Sequence, residues 1–82
     1  MNVVLSSKAA KYLEWLNEPI KGRIKVALEK LEHDPPKGDI KPMTGQEGYR
    51  LRIGKYRALL SIKADTIIVV DIGLRGQVYK GR

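Results

Sequence analysis

The sequence predicts an α+β fold in which two helices pack on one face of a mostly antiparallel sheet. Three observations predict this class. The chain has 82 residues, enough for one domain with a modest core. Apolar residues recur at helical spacing in the first half of the chain, and they alternate with a period of two in the second half. We therefore expect a single domain over residues 1–82, with the element order β-α-α-β-β-β.

An N-terminal strand and a first helix begin this order. Residues 1–5 form a short, apolar, partly β-branched run, which is typical of a strand. Ser6 or Ser7 can cap the helix that follows, because a serine hydroxyl accepts a hydrogen bond from a free amide of the first turn. Apolar residues at helical spacing then predict a helix over about residues 7–17.

An apolar stripe predicts the second helix. Pro19 suits its first turn, where a missing amide hydrogen costs nothing, and the Asp-Pro-Pro sequence at 34–36 ends it. Two helices joined by a short connection form an α-hairpin, and we expect Tyr12 and Trp15 to pack in the core or between the helices. The stripe consists of Ile20, Ile24, Ala27, Leu28 and Leu31.

A three-stranded antiparallel meander is predicted after a loop. Residues 34–48 are rich in proline, glycine and polar side chains, which favours a loop. The predicted strands cover residues 49–53, 56–63 and 66–72, with turns at Gly54-Lys55 and Ala64-Asp65. The last strand is apolar on both faces, so we expect it to be the central, most buried one.

The charge of the chain is concentrated in its second half. The net charge is +7; residues 1–40 hold seven Lys and Arg against six Asp and Glu, whereas residues 41–82 hold nine against three. A basic half on an otherwise balanced domain favours a polyanionic partner, either a nucleic acid or an acidic protein segment.

Several classes of protein and site are not expected from this composition. The chain has no cysteine, which excludes disulfides and favours a cytoplasmic protein, and it has no apolar run of the ~20 residues that a membrane helix needs. The first residues lack the pattern of a secretion signal. With His33 as the single histidine and no phosphate-binding glycine motif, we expect neither a metal site nor a cofactor.

Cationic side chains interrupt the strand pattern in the stretch YRLRIGKYRALL. Because Leu51 and Ile53 are expected to face the helices, their neighbours must lie on the bare face of the sheet. Several guanidinium groups at one point can hold RNA and stabilise a pentacoordinate phosphorus transition state. The alternative is that these charges only keep a half-solvated sheet soluble. We expect them to be exposed, so that replacing one changes stability by only ~0.5 kcal/mol. They are Arg50, Arg52, Lys55 and Arg57.

Two segments, GYRLRIGKYRALLSI and VVDIGLRGQVYK, resemble the RelE/ParE superfamily of type II toxin–antitoxin toxins from bacteria and archaea. The resemblance covers essentially the whole chain, including the element order and the proline-rich loop. Its most specific parts are the Tyr56-Arg57 pair and a terminal Gly-x-Arg…Val-Tyr pattern. That pattern consists of Gly73, Arg75, Val78 and Tyr79.

The RelE-like branch, which we favour, implies an endoribonuclease that cuts mRNA in the ribosomal A site without a metal, with the RNA 2′-hydroxyl as nucleophile. The resemblance implies that Arg57 stabilises the phosphate, that Arg75 stabilises the transition state and protonates the leaving group, and that Tyr79 acts as general base or stacks on a base. RelE has lysines at the positions of Arg50 and Arg52, so we expect no lysine base here. RNA contacts are expected from Arg50, Arg52 and Lys55.

Two alternatives remain open from the sequence. The ParE branch of the same fold poisons DNA gyrase, although the set Arg57, Arg75 and Tyr79 favours RNA cleavage. The other alternative is a basic module that binds nucleic acid or protein without catalysis, including a decayed toxin. Either toxin implies a cognate acidic, RelB-like antitoxin that neutralises the basic half. We expect a heterodimer or heterotetramer with that antitoxin, and a monomer is the expectation for the chain alone.

Overall fold

Two helices and a five-stranded sheet make up the fold. The computed structural model describes residues 1–77. The five strands form one sheet in the order β1-β5-β4-β3-β2, in which β1 runs parallel to β5 and all other neighbours are antiparallel. This arrangement confirms the predicted α+β class. The elements are β1 (Asn2–Leu5), α1 (Ser7–Trp15), α2 (Ile20–Glu29) with a 3₁₀ turn at Lys30–Glu32, β2 (Asp39–Pro42), β3 (Tyr49–Ile53), β4 (Tyr56–Lys63) and β5 (Thr66–Leu74).

Ser6 joins the first strand to the first helix. Its hydroxyl accepts a hydrogen bond from the amide of Ala9 at 3.0 Å, so it is the N-cap of α1. The same hydroxyl donates to the carbonyl of Val70 at 2.7 Å. Because β1 pairs with β5 only as far as Val69, this bond satisfies a carbonyl of β5 that lies beyond the end of β1. The start of α1 is thereby anchored to the sheet.

Glu18 supports the start of the second helix. Its carboxylate accepts a hydrogen bond from the amide of Gly22 at 2.8 Å, at a helix end where free amides and the dipole favour negative charge. The helices have nine and ten residues, and no helix among residues 1–77 has the length and apolar character needed to cross a membrane.

The core lies between the helices and one face of the sheet. Ile24 and Leu31 contribute from the second helix and its 3₁₀ turn, and Leu51 contributes from β3. Replacing a buried residue of this size with alanine costs about 2–5 kcal/mol, because the transfer free energy is lost and a cavity remains. The largest fully buried side chains are Ile24, Leu31, Leu51, Leu60, Ile67 and Val69.

Two predictions about the strands were wrong. Asp39–Pro42 forms β2, although this segment lies inside the stretch predicted to be a loop. β2 adds to the free edge of β3, so the centre of the sheet is β4 rather than the final strand. β5 is nevertheless an interior strand, with β1 on one side and β4 on the other, and none of its residues is exposed, so the expectation of a deeply buried final strand is confirmed.

Candidate functional site

Three arginines lie on the face of the sheet opposite the helices. Leu51 and Ala58 of the neighbouring strands are buried against the helices, so the residues that alternate with them emerge on the other face. Arg52 of β3 is directly opposite Arg57 of β4, and Arg50 lies two residues before Arg52 in β3, on the same face. The structure therefore brings together three of the predicted site residues.

Strand β2 adds a fourth cation to this surface. Lys41 is directly opposite Arg50, and it is exposed. We call the surface formed by Lys41, Arg50, Arg52 and Arg57 the basic face. Sequence reasoning missed Lys41 because its strand was taken for a loop; the only local signal is the alternation of Asp39, Ile40 and Lys41.

The arginines of the basic face differ in their exposure. Arg57 keeps only 7% of its surface accessible, so the expectation that all these side chains are exposed was wrong for this one. It lies on the central strand, with Arg52 opposite on one side and Gly73 opposite on the other. Burial of a guanidinium group strengthens its interaction with an anion, because less water screens the charge.

Arg52 occupies the outer part of the basic face. Its Nε lies 3.6 Å from a carboxylate oxygen of Asp39, the residue directly opposite on β2. Both side chains are close to half exposed, at 45% and 46%. An ion pair with this exposure stabilises the fold by only about 0–1 kcal/mol. The Asp39 carboxylate therefore leaves Arg52 available to an anionic ligand.

A loop borders the basic face beside the buried arginine. The 43–48 loop, which comprises residues 43–48, is closed by a hydrogen bond from the amide of Met43 to the carbonyl of Gly48 at 3.1 Å. Gly48 has φ of +101°, and a Cβ at this position would lie 2.8 Å from the carbonyl oxygen of Leu60. Glycine is therefore needed for the loop to approach β4 this closely.

The loop and the arginines enclose a cleft of about 300 Å³. Sequence reasoning missed the loop side of this cleft, because three uncharged side chains in a polar, glycine-containing stretch carry no signal of a site. We call this space the arginine cleft. Its lining residues are Met43, Thr44, Gln46, Arg50 and Arg57.

Arg75 and Lys55 lie in turns at one end of the sheet: Lys55 between β3 and β4, and Arg75 after β5. Arg75 is exposed in the turn after β5, and its amide donates a hydrogen bond to the carbonyl of Lys55 at 3.0 Å. Lys55 borders a separate cavity next to α2, together with Ile20 and Arg23, so it does not line the arginine cleft. The remaining predicted site residue, Tyr79, lies outside the described residues.

A second cavity, of about 500 Å³, lies beside α1. Asp71 lines it, is 5% exposed, and forms an ion pair with Lys8 at 3.2 Å. Partial burial raises the pKa of Tyr12 above its ordinary value of 10.0, and negative charge on Tyr56 and Asp71 raises the pKa further.

Trp15 is 74% exposed, with its ring 5.7 Å from that of Tyr12. The prediction that Trp15 packs in the core was therefore wrong.

A metal site finds no candidate in the part of the chain that the structure describes. No group of three or more His, Cys, Asp and Glu side chains lies close enough together there to hold an ion. The chemistry that the basic face can offer is charge: it concentrates cations around one cleft and suits a phosphate group.

Comparison with known families and proteins gives consistent matches. Residues 3–79 match the family described as "ParE toxin of type II toxin-antitoxin system, parDE". Toxin RelE3 of Methanocaldococcus jannaschii is 31% identical over 84 residues, which cover 96% of each chain.

Solved structures share the same fold. A chain of the RelB-RelE antitoxin-toxin complex from Methanococcus jannaschii matches with a TM-score of 0.76 and 28% identity, covering 95% of this chain and 96% of that one. The archaeal RelE-RelB complex from Pyrococcus horikoshii matches with a TM-score of 0.73 and 25% identity, covering 93% and 96%. The RelBE2 complex from Mycobacterium tuberculosis has a TM-score of 0.76 at 22% identity, covers 90% and 96%, and shares the fold.

Proposed function

This chain belongs to the ParE toxin family of type II toxin–antitoxin systems, and from that premise we propose that it is a ribosome-dependent, metal-independent mRNA endoribonuclease. The observation that supports the proposal most directly is the arginine cleft. Arg50 and Arg57 border it from two adjacent strands, and Arg57 is buried there. A buried cation beside an open cleft is an arrangement that solubility alone does not require.

The proposed reaction is attack by the RNA 2′-hydroxyl on the adjacent phosphorus. A bond forms between the 2′-oxygen and phosphorus, and the bond from phosphorus to the 5′-oxygen breaks. The 2′-hydroxyl loses its proton to a base, and the departing 5′-oxygen gains a proton from an acid. The products are a 2′,3′-cyclic phosphate and a 5′-hydroxyl end, so the step needs no metal ion or other reactant.

We assign a role to each proposed site residue. Arg57, buried in the arginine cleft, stabilises the extra negative charge on the pentacoordinate phosphorus. Arg75, in the exposed turn, stabilises the transition state and protonates the leaving group, and Tyr79 acts as general base or stacks on a base. The side chains proposed to bind the RNA backbone are Arg50, Arg52 and Lys55.

Charge stabilisation carries most of the proposed rate enhancement. A tyrosine phenol ordinarily titrates near ~10 and a guanidinium above ~12, so neither type of group exchanges protons readily at neutral pH. Removing one preorganised donor from an anion-stabilising site typically costs about 10²–10³ in rate. The mRNA held in the ribosomal A site supplies the alignment of the 2′-hydroxyl that free RNA lacks.

We propose a RelB-like acidic antitoxin as the protein partner. The similar solved structures from Methanococcus jannaschii and Pyrococcus horikoshii are complexes of a RelE toxin with RelB. The basic face offers complementary charge to an acidic segment, which would cover the arginine cleft and block RNA. The complex is then a heterodimer or a heterotetramer. We place the toxin and its antitoxin in the cytoplasm, where the ribosome is found.

Poisoning of DNA gyrase is the second candidate function. The family that matches residues 3–79 is described as the ParE toxin, and resemblance to the ParE branch implies poisoning of gyrase. Fold alone does not separate the two activities, because function depends on the site.

The test is tightly controlled expression followed by mapping of mRNA 5′ ends. We expect cuts within translated frames, at a fixed position in the codon, that disappear when translation is blocked. Growth arrest with intact mRNA and gyrase-dependent DNA breaks would replace this proposal with the second candidate. Normal growth with intact mRNA would leave a non-catalytic binding module.

Matched variants on one strand connect that result with the site. Arg57→Met and Lys63→Met each remove one positive charge from β4, but Lys63 lies at the exposed far end of the strand, away from the arginine cleft. We expect Arg57→Met to abolish cleavage and Lys63→Met to retain it, with folding of both checked by circular dichroism. Equal activity of the two variants would contradict the assignment of Arg57.

A further inference from the structure

The arginine cleft has two chemically different walls. Arg50 and Arg57 line it from β3 and β4. Three residues line it from the 43–48 loop, and their side chains are a thioether, a hydroxyl and a carboxamide, none of them charged: Met43, Thr44 and Gln46. A phosphate needs only the first wall, so the second wall is available to another part of the same ligand.

We propose that the 43–48 loop is a nucleobase-binding wall, in which Gln46 reads the base attached to the phosphate held by Arg50 and Arg57. The inference rests on the proposed ribonuclease function and adds base selection to it. The size of the cleft agrees, since about 300 Å³ is at the lower end of the ~300–1,000 Å³ typical of small-molecule sites.

The loop is held in place without the side chain of Gln46. The hydrogen bond between the backbone atoms of Met43 and Gly48 closes its base, and Gly48 lies against the backbone of Leu60. Gln46 itself is exposed at the edge of the cleft. Its carboxamide is therefore presented by a positioned backbone, which is what recognition of one base requires.

The chemistry of the wall favours adenine. A glutamine carboxamide offers one acceptor and two donor hydrogens, and adenine presents a matching pair of donor and acceptor on both its Watson–Crick and its Hoogsteen edge, whereas cytosine and uracil have no such pair on the Hoogsteen edge. The Met43 thioether is half-buried beside it and provides a soft, polarisable surface for the face of a base. Single-stranded RNA is commonly read in this way, by hydrogen bonds to base edges combined with contacts to base faces.

Binding of uncleavable trinucleotides tests the inference separately from catalysis. The probes are four 2′-deoxy trinucleotides with A, C, G or U as the central base between two U, because without a 2′-hydroxyl they cannot be cut. We expect the protein to bind the A probe about three- to tenfold more tightly than the C and U probes, the value of one or two net hydrogen bonds. Gln46→Ala should reduce this ratio to about one while the wild-type fold is retained.

The chain provides an internal control and a matched variant. It has two methionines, so ¹³C-methyl labelling gives two signals, of which Met43 lines the arginine cleft and Met1 lies at the opposite edge of the sheet beside β1. The A probe should shift the Met43 signal and leave that of Met1 unchanged. Glu47→Ala, in the same loop but outside this cleft, should alter affinity for all four probes equally and keep the A preference.

Each other outcome overturns the inference. An A preference that survives in Gln46→Ala, a shift of Met1 instead of Met43, or no binding of any probe at millimolar concentration would each remove the loop as a base-reading wall. Ribosome-dependent cleavage by the wild type would still stand in those cases, so failure of this inference is distinguishable from failure of the proposed function.

Discussion

The inner and outer parts of the basic face use the same residue in different environments. Arg57 and Arg52 are directly opposite each other on adjacent strands. Arg57 is 7% exposed on the central strand beside the 43–48 loop, whereas 45% of the Arg52 side chain is accessible and its nearest carboxylate belongs to Asp39. One arginine is thus part of the packed structure, and the other behaves as a surface charge.

The difference shows that alternation in a strand does not reveal what a charge does. Both arginines occupy the same phase of the period-two pattern, and both were expected to be exposed. Arg57 is nevertheless almost fully buried and borders the arginine cleft, whereas Arg52 is close to half exposed. The inner part of the basic face is therefore where we place phosphate stabilisation.

Replacing each arginine by alanine gives the largest expected effect. We expect Arg57→Ala to lower mRNA cleavage by about 10²–10³-fold and the free energy of unfolding by about 1–3 kcal/mol, because it removes a phosphate donor and leaves a void with unsatisfied neighbours. Arg52→Ala should lower cleavage only several-fold and change stability by about 0.5 kcal/mol or less. Denaturant unfolding and single-turnover cleavage measure both; similar losses for the two variants would contradict the distinction.

Alanine substitutions at two glycines of the 43–48 loop should have a smaller effect, mainly on the stability of the fold. Gly48→Ala places a Cβ 2.8 Å from the Leu60 carbonyl oxygen at φ +101°, so we expect it to destabilise the fold by about 2–3 kcal/mol and displace the loop from the inner arginine. Gly45→Ala has φ of +72° but nothing within 4 Å of the new Cβ, and should cost about 1–2 kcal/mol. Thermal unfolding compares them, and equal costs would mean that contact with β4 does not hold the loop.

The outer ion pair should give the smallest effect. A double-mutant cycle on Arg52 and Asp39 should yield a coupling energy below about 0.5–1 kcal/mol that falls further in 1 M salt, because both groups are exposed. The pair of Lys8 and Asp71 is the control, since its carboxylate is buried and should couple more strongly. A strong, salt-resistant coupling for the outer pair would place it in the packed structure as well.

The strands around the site could be predicted because their signals are local. β3 and β4 begin and end where alternation and the Gly54 turn indicate. β2 could not be predicted, since Gly38 precedes and Pro42 ends a four-residue segment that becomes a strand only by pairing with β3. Partners distant in sequence supply hydrogen bonds that no short window contains.

Amphipathic periodicity by itself determined the two helices and which strand residues point toward them. It also determined that Arg50, Arg52 and Arg57 share the opposite face of the sheet. It did so because side-chain direction follows from the backbone period of each element. Only the tertiary structure decided that Arg57 is buried, that Gln46 borders the same cleft, and that the backbones of Arg75 and Lys55 are joined by a hydrogen bond. Burial and convergence depend on strand order and loop path, which are set by contacts between residues far apart in the chain.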